Sequence, residues 1–110
     1  MKEIINFEHF SKLDIRIGSI REAEAVEGSQ KLIILLVDVG EKEDIQLVAG
    51  IGNSYNPADL EGRQVAVLVN LEPRMIMGHR SQGMILASEG GEGPVIISPL
   101  SPVEPGSRVS

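Results

Sequence analysis

The chain contains no cysteine and no tryptophan, and its only aromatic rings are Phe7, Phe10 and Tyr55. Without thiols there is no disulfide framework, no thiolate metal site and no cysteine nucleophile. His9 and His79 are the only histidines, with no H-E-x-x-H pair, so no metal is expected. Asp38 and the Glu41–Asp44 run lack EF-hand spacing and read as a charged hairpin tip. There is no G-x-S-x-G. His79 and Ser81 lack an oriented acid and an oxyanion hole, and read as polar surface residues instead of a catalytic pair. Gly50-Ile51-Gly52 lacks the third glycine and long helix of a dinucleotide fingerprint, so no cofactor is expected; the two glycines permit a tight corner beside a binding face. No apolar run approaches the ~20 residues that span a bilayer. The N-terminal Met1–Asn6 segment lacks the apolar stretch of a signal peptide. These absences point to a cytoplasmic binding protein, with no enzyme activity and no membrane partner. The start at Met1 favours an independent protein.

What is present is a β-rich pattern. At 110 residues the chain is expected to form one domain over 1–110, with Ile, Val and Leu supplying a packed core. Asn6 caps a short helix over 7–13, whose Phe7 and Phe10 share one face and read as core plugs. From Asp14 to Val26 a period of two predicts a strand, bent or bulged at Gly18. Leu32–Val37 is an unbroken apolar run, which a strand covered on both faces tolerates. A second subunit or the N-terminal helix would supply the outer cover, so the run predicts a dimer, with a buried helix as the competing reading. Ile45–Ala49 is a third strand. Asn56 and Pro57 start a one-turn helix that ends at Gly62. Strands follow at 64–70, 83–88 and, at an edge, 94–98; Pro99, Pro102 and Pro105 keep the tail extended, and Val109 adds a last pairing. Five or six short strands with a helix between the third and fourth predict an OB-fold, a five-stranded Greek-key barrel with short helices. A β-sandwich is the alternative, but its seven strands would strain this length.

Net charge is −6, which taken alone argues against nucleic acid. The charge is segregated, however. From Arg63 to Ser88, three arginines stand against a single Glu72, while the rest of the chain carries seven basic and fifteen acidic residues. Pro73 ends strand pairing, so Arg74 is expected to project from a loop at the barrel rim. Arginine forks match phosphate oxygens in bidentate fashion, and His79 adds hydrogen bonds beside Arg80. Asn53, Asn70, Ser81 and Gln82 offer neutral donors. The shortage of aromatics disfavours base stacking on single strands and favours shape and backbone readout of folded RNA.

The same residues resemble a known family. Phe10-Ser11-Lys12-Leu13-Asp14-Ile15-Arg16-Ile17-Gly18, Glu27-Gly28-Ser29-Gln30-Lys31-Leu32 and Val37-Asp38-Val39-Gly40 resemble the first half of the tRNA-binding domain. Val48-Ala49-Gly50-Ile51, Tyr55-Asn56-Pro57, Leu60-Glu61-Gly62, Val69-Asn70-Leu71-Glu72-Pro73-Arg74 and Met77-Gly78-His79-Arg80-Ser81-Gln82-Gly83-Met84 resemble its second half, and Gly106-Ser107-Arg108-Val109 its ending. The ordered set covers residues 7 to about 88 and is most similar to the C-terminal domain, or detached β subunit, of methionyl-tRNA synthetase. The resemblance implies a homodimeric OB-fold that binds tRNA by shape, raises a synthetase's affinity for it and does no chemistry. Carried over position by position, it implies RNA contacts at Asn70, Arg74, Ser81 and Met84, with Lys31 and Asn53 on bordering loops. His79 and Arg80 occupy a variable position and enter on charge alone. The family's usual Asn-Leu-Lys-Pro-Arg-Lys is here changed to Glu72 and Met75 at both lysines, which removes phosphate contacts. Met75, Met77 and Met84 also suit adaptable apolar contacts. The alternative partner is therefore a peptide, as in the similar CsaA-like export chaperones. A third reading is a subunit that docks on an enzyme without touching RNA.

Overall fold

The computed structural model describes all 110 residues. α1 (Phe7–Phe10) leads into β1 (Ile15–Ala25), β2 (Ile33–Asp38) and β3 (Ile45–Ala49), then α2 (Pro57–Leu60) and β4 (Gln64–Leu68). The hairpin β5 (Arg74–Ile76) and β6 (His79–Ser81) follows, then β7 (Met84–Ile85), β8 (Ala87–Gly90), β9 (Gly93–Ile96) and β10 (Ser107–Val109). The main sheet runs β3-β2-β1-β4-β7, with β10 added to β1. Long β1 makes the barrel possible: its first half pairs with β4 and its second half with β2. The change of partner coincides with a register shift between Ile20 and Glu22, not at Gly18 as expected. Gly18 stays in ladder with Val65; its lack of a side chain reflects close approach, because a Cβ there would lie 2.5 Å from Val37 Cγ1. This is the nearly closed five-stranded barrel of an OB-like fold.

The core is aliphatic. Ile20, Ile33, Leu35, Val37, Val39, Leu47, Ile51, Leu60, Val65, Val67 and Ile85 form one buried cluster. Asn56 caps α2 through its side chain, Pro57 opens the helix, and fully buried Leu60 plugs the barrel end. The β2 run alternates after all: Ile33, Leu35 and Val37 are buried, while Ile34 and Leu36 are only half-buried on the outer face. Their cross-strand neighbours are Glu24 and Val48 for Ile34, and Glu22 and Gln46 for Leu36. Long polar side chains of this kind cover apolar surface with their stems. The run therefore needs no second subunit to account for it.

Four further expectations are corrected. α1 stops at Phe10; the Ser11 hydroxyl donates to Glu8 O at 2.7 Å and competes for the helix carbonyls. Phe7 is 77% exposed and Phe10 half-buried, so neither is a core plug. Instead both line a groove of about 560 Å³ with Lys12, Arg108 and Val109. The strand expected over 83–88 breaks at Leu86, whose N–H donates to Ala66 O before the chain turns into the β8–β9 hairpin. The expected edge strand over 94–98 is β9, one residue earlier at its start. No helix is long and apolar enough to cross a membrane.

Candidate nucleic-acid interface

The basic segment is not a loop. Arg74 pairs with Ser81, Met75 with Arg80 and Ile76 with His79 in a separate two-stranded sheet. β4 already ends at Leu68, and Pro73 directly precedes the first paired residue of β5, so the proline does not prevent a new strand. The two-residue turn Met77-Gly78 has φ of 48° and 81°, the signature of a type I′ turn. Directly opposed residues share a face of a hairpin. Met75 and Arg80 therefore lie on one face, both exposed, and the other face carries Arg74, exposed at the open end of the hairpin, with half-buried Ile76 and His79 and buried Ser81.

The charges of this hairpin are uncompensated. The protein's four ion pairs join Arg16 to Asp14 and Glu41, and Arg21 to Asp38 and Asp44. Arg74, Arg80 and Lys31 take part in none of them. Arg16 is a different kind of arginine. It forks onto Asp14 (3.0 and 2.9 Å) and also donates to Val39 O (3.0 Å) and Glu41 Oε2 (2.7 Å). The hydrogen bond from Arg16 holds the Asp14 carboxyl below the usual carboxylate range, with the Arg16 and Arg108 charges adding to the effect. Hydrogen bonds to Asp14 and Glu41 hold Arg16 more firmly protonated than a free guanidinium.

Lys31 and Asn53 come together on the next corner of the barrel. Gly52 N–H donates to Lys31 O at 2.6 Å, and the Lys31 stem crosses Gly50, where a Cβ would lie 3.0 Å from its Cε. A Cβ on Gly52 would lie 2.7 Å from Gln30 O, so both glycines serve close approach of the two loops. Asn53 follows directly and is exposed. β3 links this corner to the hairpin: Val48 N–H donates to Ser81 Oγ at 3.0 Å, and the strand runs on to Gly50. Met84 on β7 is exposed.

Two residues expected to contact RNA also make hydrogen bonds within the chain. Ser81 is 5% exposed; its hydroxyl accepts from Val48 N–H and donates to Gly83 O. Asn70 accepts from Asp14 N–H at 2.8 Å and donates to Lys12 O at 2.7 Å, tying the β4–β5 connection to the start of β1. Ser81 is buried beneath the surface, whereas Asn70 makes these bonds from an exposed position. Sequence reasoning missed Gln46, whose side-chain amide donates to Arg80 O at 2.9 Å. A lone glutamine in a strand carries no local signal of such a role.

Residues 15–108 match the family model described as "Putative tRNA binding domain". The chain is 51% identical over 108 residues to the methionine–tRNA ligase of Archaeoglobus fulgidus, covering 98% of this chain and 16% of that protein. It is 42% identical to that of Thermotoga maritima, covering 96% of this chain and 17% of that protein. The chain thus spans only about one-sixth of the length of the curated relatives it matches. Among solved structures, the MetRS-related protein of Pyrococcus horikoshii superposes with a TM-score of 0.90 at 34% identity, covering 99% of this chain and 100% of that one. The chaperone CsaA of Bacillus anthracis superposes with a TM-score of 0.88 at 33% identity, covering 98% and 100%.

Proposed function

Since this chain belongs to the tRNA-binding domain family, we propose that residues 1–110 act as a structure-specific tRNA-affinity module, dimeric and working as part of, or in trans to, a cytoplasmic methionyl-tRNA synthetase. The observation that carries this reading is that Arg74 and Arg80, the two arginines of the β5–β6 hairpin, are exposed and in no ion pair in an otherwise acidic protein. Guanidinium forks, with Lys31 on the neighbouring corner, meet phosphates. His79, Asn53 and Met84 contribute hydrogen bonds and apolar contact at the edges. With few aromatics available, recognition rests on the spacing of phosphates in a folded RNA and not on base stacking. The module performs no chemistry; it raises the local concentration of tRNA at the synthetase.

The dimer in this reading forms at the N-terminal end. Phe7, Leu13 and Val109 are exposed apolar residues lining the groove between α1 and β10, and Ile4 and Ile5, just ahead of α1, are exposed as well. A second copy would bury them and present two arginine hairpins to one RNA. Light scattering of the wild type beside Phe7→Asp tests this: a dimer that becomes a monomer supports it, and a monomeric wild type refutes it.

A second reading is favoured by a separate observation. Met75, Met77 and Met84 are all exposed, on or beside the hairpin, and make a soft apolar surface suited to unfolded peptides. Titration with bulk tRNA and with a denatured protein across roughly 50–400 mM salt (~14 Å down to ~5 Å of charge screening) separates the two. Phosphate binding weakens steeply as salt rises. Tight binding of peptide that ignores salt, with no tRNA binding, would replace the RNA reading.

A further inference from the structure

The hairpin that carries Arg74 and Arg80 is joined to the barrel mainly by side chains. β5 and β6 pair only with each other. Against β3 they and the following turn make a short seam. Gln46 N–H donates to Gln82 Oε1 at 2.9 Å, and Gln82 N–H returns a bond to Gln46 O at 2.8 Å. The Gln46 amide then reaches Arg80 O at 2.9 Å, and Val48 N–H reaches Ser81 Oγ at 3.0 Å. One main-chain bond and three side-chain bonds thus stand where a strand ladder would otherwise close the barrel. The turn at the far end holds Met77 in the left-handed region, which disfavours a non-glycine residue. An isolated two-stranded hairpin is marginally stable in water. The seam therefore decides whether the arginines are presented at a fixed angle or on a fluctuating arm.

We propose that Gln46 and Gln82 are positioning residues for RNA binding: by clamping the Arg80 carbonyl and the strand end beside it, they hold the arginine hairpin in its binding geometry. Gln82 supplies an acceptor that substitutes for a missing strand carbonyl. Gln46 supplies a donor to the one backbone carbonyl next to the Arg80 side chain. Without the clamp the same phosphates are still met, but tRNA must order the hairpin as it binds, and affinity falls by that ordering cost. The functional half of this proposal rests on the tRNA-binding reading; the structural half does not.

The experiment measures tRNA affinity against salt and amide exchange for wild type, Gln82→Met, Gln46→Met, Gln82→Glu and Arg80→Ala. Gln82→Met keeps length and loses the acceptor; Gln82→Glu keeps the acceptor. Expected for both methionine variants is faster exchange across 74–81, unchanged protection over Ile33–Val37, and about tenfold weaker tRNA binding with the salt slope of the wild type. Gln82→Glu is expected to retain slow exchange across 74–81. In contrast, Arg80→Ala is expected to keep slow exchange and to flatten the slope by about one. Wild-type affinity in both methionine variants overturns the proposal. So does loss of protection over Ile33–Val37, since the seam would then hold the barrel and not the hairpin. So does a flattened slope in the methionine variants, which would make the glutamines direct contacts. A wild type that ignores salt, or an Arg80→Ala that binds normally, instead defeats the tRNA-binding reading and leaves the exchange result to judge the clamp.

Discussion

Arg16 and Arg74 lie in two regions of one small protein and do opposite work. Arg16 sits at the junction of β1 with the β2–β3 connection, its side chain only 22% exposed, and every bond it makes ends on its own chain. Arg74 and Arg80 sit on the β5–β6 hairpin at the side of β3, exposed and in no ion pair. The same side chain is tied into the fold where acids surround it and stays unpaired where they do not. In an acidic protein that difference cannot be read from residue type; it follows from which strands carry the carboxylates. Asp14, Asp38, Glu41 and Asp44 all gather around β1 and the β2–β3 connection, and leave the hairpin unneutralised.

The contrast is broken most strongly by removing each kind of arginine. Arg74→Ala with Arg80→Ala is expected to weaken tRNA binding by about a hundredfold, roughly 1.4 kcal/mol for each lost phosphate fork, with an unchanged urea midpoint. Gel-shift titration and urea unfolding on the same samples check it. Arg16→Met is expected to do the reverse: about 1–2 kcal/mol of stability lost, because Asp14, Glu41 and the Val39 carbonyl lose their donor, with an unchanged salt slope for tRNA.

Acid sharpens the same contrast. Asp14 has a lowered carboxyl pKa in the folded state, chiefly through its hydrogen bond from Arg16. The unfolded chain therefore takes up the proton first, near the ordinary Asp value of about 3.9. The stabilisation is complete above that pH and fades as pH falls through the lower folded value. Urea midpoints at pH 5 and pH 3 should drop more for wild type than for Arg16→Met. Equal drops would mean that the pair contributes nothing.

The smallest effect concerns the hairpin tip. Asn replaces Met77 with a residue that accepts φ near 48°, and should stabilise the turn by up to about 1 kcal/mol. Slower amide exchange across 74–81, with tRNA affinity unchanged or slightly improved, is the expected outcome.

Much of this was legible beforehand because local chemistry and tertiary packing agreed. Asn56, Pro57 and Gly62 bracket α2 by capping rules alone, Ile45–Ala49 is β3 as read, and the pairing expected at Val109 is β10. Where the two levels diverged, the reading failed. The β5–β6 hairpin was hidden because its type I′ turn is built from Met77-Gly78 and not from an Asn-Gly signal, and because Pro73 reads as a stop. The alternation of β2 was hidden because its outward residues Ile34 and Leu36 are as apolar as the buried Ile33, Leu35 and Val37, so an isolated run does not reveal which face is inside. At the candidate site, the charge cluster was visible as a count of arginines against Glu72. The internal commitments of Ser81 and Asn70, and the role of Gln46, depend on contacts 33 to 58 residues apart in the chain, beyond any local pattern.

The account stands or falls on how binding responds to salt when charge is removed from two different places. Log affinity for bulk tRNA against log salt should be measured for wild type, for Arg74→Ala/Arg80→Ala, and for Arg63→Ala/Lys42→Ala, which loses the same net charge elsewhere. A slope flattened by about two in the hairpin variant alone, with the control close to wild type, is the expected result. Equal slopes in the two variants would contradict a localised arginine site.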